Sequence, residues 1–221
     1  MSSRALNRAQ SAVVDAERDR DRWTVAVAEA EVAAAAALQV DVSDPSELDA
    51  AGERAARTAS KVAAARRALA RVEDRLAETR RSVLLVEADD EDAAAAAAER
   101  ELTTLQGKVE ALLAQLEALN NVRYELPDDE RVSRLVAMGE RVEMRTPRTS
   151  TLATEVRVHR IRAAVLRTTA RTGRVPGFIH ELDELIPGVW GSSLIDPAVV
   201  PPSARAYAAV READLTGVAA E

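Results

Sequence analysis

From Ser46 to Asn121 the chain runs without a proline, and its only glycines there are Gly52 and Gly107. Alanine, leucine, glutamate and arginine dominate, all strong helix formers. Leu48, Ala55, Val62, Leu69, Leu76 and Val83 recur every seven residues, with Ala51, Thr58, Ala65, Val72, Thr79 and Val86 three residues further on. Leu102, Leu105, Val109, Leu112, Leu116 and Leu119 then alternate steps of three and four. A seam of this kind buries a narrow stripe against another helix and needs no thick core.

The two series are out of phase. Between them lies Glu87-Ala-Asp-Asp-Glu-Asp92, followed by six alanines. In one reading a helix of about 115 Å runs straight through at 1.5 Å per residue, and the acids form a solvated face. In the other the chain turns, and an aspartate near Asp89 or Asp90 caps a new helix with a suitably acidic first turn. The turn is favoured, because it gives three helices of similar length and shelters Val83-Leu84-Leu85-Val86.

Upstream, residues 3–38 read as a helix. Leu6, Val13, Val27 and Ala34 lie on a seven-residue series broken by Arg20, with Ala9, Ala16, Trp23, Ala30 and Ala37 beside it. Trp23 is expected in the seam, since large aromatics mostly fill cores. Asp15–Arg18, Glu17–Arg20 and Asp19–Arg22 have the spacing of weak surface pairs. Asp44-Pro45-Ser46-Glu47 restarts the helix, with Asp44 as cap and Pro45 at the first helical position. So short a connection implies an antiparallel hairpin.

After Asn121 the composition shifts. Seven of the eight prolines and four of the five aromatics follow. Leu126-Pro127-Asp128 begins a helix expected to reach Met144. Thr146-Pro147 begins another, ending near Thr172 at Gly173; Val156 to Arg162 alternates like a strand, but Leu152, Val156, Val165 and Leu166 continue a helical stripe. The tail can hold short helices at Phe178–Leu185 and Ser203–Ala213. The expected fold is therefore all-α: an elongated, alanine-rich antiparallel coiled-coil or helical bundle over 1–121, short helices including an arginine-rich one over 122–174, and a proline-containing tail over 175–221.

Composition narrows the chemistry. With no cysteine, disulfides, thiolate catalysis and cysteine-ligated zinc are excluded. The first residues lack the apolar core of a signal peptide, and Glu29 and Glu31 interrupt the most apolar run, so a cytoplasmic protein without membrane contact is expected. A formal charge of −7 argues against nucleic acid as partner of the whole molecule. Locally the picture differs: between Arg145 and Arg174 stand eight arginines and one acid, Glu155. Arg157, Arg160, Arg167, Arg171 and Arg174 fall along one side of the expected helix, as a candidate phosphate or partner stripe. Its plainer reading is pairing with acidic helices of the protein itself or of a partner.

His180-Glu181-Leu182-Asp183-Glu184 looks like a metal helix but carries glutamate where a zinc helix needs its second histidine; it reads better as an amphipathic segment with Phe178, Ile179, Leu182, Leu185 and Ile186 inward. Gly188 to Gly191 lacks a nucleotide fingerprint, and no serine sits in a nucleophile elbow. No catalytic residue, cofactor or metal site is expected. Trp190 is a candidate anchor for a partner.

The function expected from these features is structural: an assembly protein that self-associates through the coiled coil and engages another protein with its C-terminal hundred residues. Acidic, helical, cysteine-free chains with a basic terminal region share the general character of scaffolding or virion proteins, an analogy of architecture alone. The second reading is a nucleic-acid adaptor using the 157–174 arginines. An enzyme would need a deep pocket in the C-terminal half, lined by His159 or His180 with carboxylates.

Overall fold

The computed structural model describes residues 3–39, 45–120, 147–186, 189 and 193–217. The expected Leu126–Met144 helix, the caps at Asp44 and Thr146, and Trp190 lie outside them. Among these residues four α-helices follow in order: α1 (Arg4–Leu38), α2 (Pro45–Asn120), α3 (Pro147–Thr172) and α4 (Pro202–Gly217), with one 3-10 turn at Ile179–Glu181. Contacts divide the chain into two compact units, residues 1–86 and 87–221, with the division inside α2.

In the first unit α1 and the start of α2 form an antiparallel hairpin. Ser3 caps α1, its hydroxyl oxygen accepting from the Leu6 amide at 3.1 Å. Leu6, Ala9, Val13, Ala16, Val27, Ala30, Ala34 and Ala37 are buried or half-buried, while Trp23, expected among them, keeps 39% of its surface exposed. On α2 every position of the two heptad series from Ala51 to Val86 is covered, and only Leu48, at the start of the helix, is bare. Two seam positions are threonines whose hydroxyls donate one turn back, Thr58 to the Ala55 carbonyl at 2.9 Å and Thr79 to that of Arg75. The seam therefore hides no unpaired hydroxyl there.

Ion pairs fix the register. Arg66 donates to Glu31 at 2.7 Å, and Arg80 to Glu17 at 2.8 Å. From one pair to the next α2 advances by two heptads while α1 retreats by two. Glu17 thus reaches across the hairpin, and Arg20 pairs with the adjacent Asp21 at 2.6 Å; Asp15–Arg18 and Asp19–Arg22 pair locally as spaced, at 3.4 and 3.6 Å.

The favoured turn at Asp89–Asp92 is not there: α2 is helical throughout. Ala93 to Ala98 carry the best helix propensity of any residue, and the acids before them find cations on α3 instead of capping a helix. In the second unit α3 is the centre. Ala163, Ala164, Val165, Leu166, Thr168, Thr169 and Ala170 are all buried, so the turn from Ala163 to Leu166 is enclosed on every side, while Arg167 and Arg171 emerge on one face beyond it. A helical turn apolar all round belongs in a core.

The α3 helix ends where the sequence places its stop. Gly173 has φ +74° and its amide donates to the Thr169 carbonyl at 2.8 Å. A Cβ there would meet only the Arg211 side chain, at an ordinary 3.7 Å, so Gly173→Ala tests backbone conformation alone. It is expected to lower stability by about 1 kcal/mol in denaturant unfolding, the strain of a left-handed non-glycine residue.

The tail returns along α3. Phe178 and Leu194 form an isolated antiparallel bridge, with Ile179 N donating to Ser193 O at 3.0 Å and Ile195 N to Gly177 O at 2.9 Å. The expected helix at Phe178–Leu185 is reduced to the 3-10 turn, because Leu182 is already extended at φ −72°, ψ 142°. Ile179, Leu182 and Ile186 are buried as anticipated, but Phe178 and Leu185 face outward. α4 starts at Pro202, packs against α3 and buries Ala204.

Candidate functional site

The arginine-rich face of α3 is the most charged surface that the sequence singles out. α3 and the second part of α2 run antiparallel. Arg160 donates to Glu99 at 2.7 Å, and Arg167 to Asp92. One heptad forward on α3 answers one heptad back on α2. Arg148 reaches Glu101 at 2.6 Å. Glu91 takes two partners, its Oε2 facing His159 Nδ1 and its Oε1 lying 3.8 Å from Arg162.

Arg167 is the junction. Besides Asp92 it approaches Asp89 at 3.5 Å and Glu184 of the tail at 3.0 Å. Burial, the largest influence on this guanidinium, works to lower its pKa. The hydrogen bond donated to Asp92 and the fields of Asp92 and Glu184 outweigh it, so the net shift is upward. One turn on, Arg171 donates from Nε to Asp183 at 2.7 Å and again from Nη2. That hydrogen bond holds the Asp183 carboxyl below its usual value. The Asp183 amide donates to Thr168 Oγ1 at 3.4 Å, so the tail is tied to α3 by main chain as well as by charge.

Three of the five stripe arginines are thus engaged by the protein's own acids: Arg160, Arg167 and Arg171. Arg157 and Arg174 are exposed and make no ion pair among the described residues. His180 and Glu184 do not share a helix face; His180 lies against the Phe178 ring, centroids 5.4 Å apart, and Glu184 serves Arg167. Pairing of the stripe with the protein's own acids is the plainer of the two sequence readings; which acids it meets is not legible there, because Glu87–Asp92 reads more readily as a turn than as a helix face. The one signal of these acids is the matching interval: Asp92 to Glu99 is one heptad, as is Arg160 to Arg167.

An open groove of about 430 Å³ runs along α3, lined by Thr151, Thr154, Glu155, Val158, His159 and Arg162. It has the residue types an acid–base site uses. It is a groove on a helix face, however, and Glu91 occupies both His159 and Arg162. Among the described residues no three acids or histidines gather as a metal shell, and no helix is long and apolar enough to cross a membrane. No family model, curated protein or solved structure matches the chain.

Proposed function

We propose that this is a non-catalytic assembly protein that self-associates through the leucine row at the end of α2 and engages a second protein with its C-terminal hundred residues. One observation carries the reading. The seam Leu102–Leu105–Val109 is half-covered, yet its continuation is bare: Leu112, Leu116 and Leu119 are 59%, 43% and 80% exposed. Single exposed leucines are ordinary; three in heptad register make the edge of a helix–helix interface. Beside Leu112, Leu116 and Leu119 the flanking positions Leu113, Gln115 and Asn120 carry no charge and Lys108 carries one, so a second copy meets little like-charge repulsion there.

The nucleic-acid reading of the 157–174 stripe is weakened by its ion pairs, since phosphate would have to displace Asp92, Glu99 and Asp183. Arg157, Arg174 and Trp190 remain candidates for the second partner. The self-association reading is tested by replacing Leu112, Leu116 and Leu119 with glutamine. Sedimentation equilibrium should then give the monomer mass of 23.8 kDa, with helicity unchanged by circular dichroism. Association undiminished in that variant would reject the row as the interface.

A further inference from the structure

The cations of α3 are largely spoken for, but a second basic surface is not. From Arg54 to Arg75 the chain has seven cations and two acids, Glu73 and Asp74. In the heptad frame of the seam they divide by position. Arg66 lies on the flank that faces α1 and pairs there with Glu31, as Arg80 does with Glu17 two heptads on. On the opposite flank, a row in steps of three and four reads Arg54, Arg57, Lys61, Ala64, Ala68, Arg71, Arg75. Five of its seven positions are cations and the other two are alanine. All five cations are exposed. Arg57 is tied to Glu53 at 2.9 Å within the helix; Arg54, Lys61, Arg71 and Arg75 make no ion pair among the described residues.

We infer that this outer face of α2, from Arg54 to Arg75, binds the phosphate backbone of nucleic acid without reading sequence. The row is about 32 Å long at 1.5 Å per residue, close to one turn of duplex. It is continuous, because it rides on one unbroken helix. Arginine favours phosphate through its two-pronged donor geometry. The two alanines leave the middle of the row low, so a rounded backbone can approach between the end clusters. The net charge of −7 does not forbid this, since fields beyond roughly 8–10 Å are screened at physiological salt. No aromatic side chain interrupts the row, so base stacking is not part of the contact, and affinity comes from charge alone.

The test is anisotropy of a short labelled duplex, and of its single strand, titrated with the full chain over a salt series. Binding on the order of 10⁻⁴ to 10⁻⁶ M is expected, falling with salt at a log–log slope of about −4.5 on duplex and about −3.5 on the single strand for five phosphate contacts. Changing Arg54, Lys61, Arg71 and Arg75 together to alanine should weaken binding at least tenfold and flatten the slope by about one per residue. Alanine keeps the helix, which circular dichroism would verify. Arg22→Ala, on α1 and outside the row, should leave binding unchanged, and the quadruple change made in the leucine-row variant should weaken binding by the same factor, which separates this surface from self-association. No binding at low salt, or full binding by the quadruple variant, overturns the inference. So does a polyglutamate peptide that binds the row when neither nucleic acid does, since the partner would then be an acidic protein.

Discussion

Leu166→Ala is expected to lower the stability of the second unit by about 2–5 kcal/mol, the range for a large-to-small change in a core that cannot collapse. Leu166 is fully buried, and so are its neighbours Val165, Ala164 and Ala163. The α3 helix is enclosed at this level on all sides, so no side chain can swing in from solvent to refill the space. Half-buried seam positions of the hairpin, such as Val62, should respond far less, because water already reaches them. Hydrogen exchange separates the two units. In Leu166→Ala the amides of α3 should lose protection while those of α1 keep theirs. Equal loss in both units, or a change below roughly 1 kcal/mol, would mean that α3 is not the centre of its unit.

Arg167→Ala should cost about 1–2 kcal/mol. The figure is modest for a side chain with three carboxylate partners because the pairs are partly exposed, 28% for Arg167 and 43% for Asp92, and solvent screens them. Arg167→Lys should restore only part of it, since a point charge cannot serve two elements with a fixed fork. Arg157→Ala, without an ion pair among the described residues, should be neutral. A cost at Arg157 equal to that at Arg167 would contradict the junction. The tail should also respond to acid. Asp183 is held below its usual pKa by the Arg171 hydrogen bond, so its contribution is present above the ordinary carboxylate range. It is lost as pH falls through the depressed folded value. Exchange of the 177–186 amides should accelerate there, and Asp183→Asn should remove that acid-dependent change.

The hairpin was legible because heptads state both the helix and its buried face. α3 was legible through Pro147 and Gly173, whose backbone demands are local. What escaped was pairing at a distance. Glu87–Asp92 resembles a helix start, and nothing within the segment says that α3 will bring cations to it. Phe178–Leu185 has helical spacing, yet the bridge between Phe178 and Leu194 forces an extended path that local pattern does not encode. Trp23 sits on its series and still keeps 39% of its surface exposed. The Arg54–Arg75 row was open to inspection in the sequence. It was overshadowed by the denser block after Arg145, and only the ion pairs of α3 show which of the two is free.

The most direct measurement of the central claim is molar mass by light scattering behind size-exclusion chromatography, over about a hundredfold range of concentration. Self-association through Leu112, Leu116 and Leu119 predicts a mass above the monomer's 23.8 kDa, rising with concentration. A mass of one chain at every concentration would contradict it.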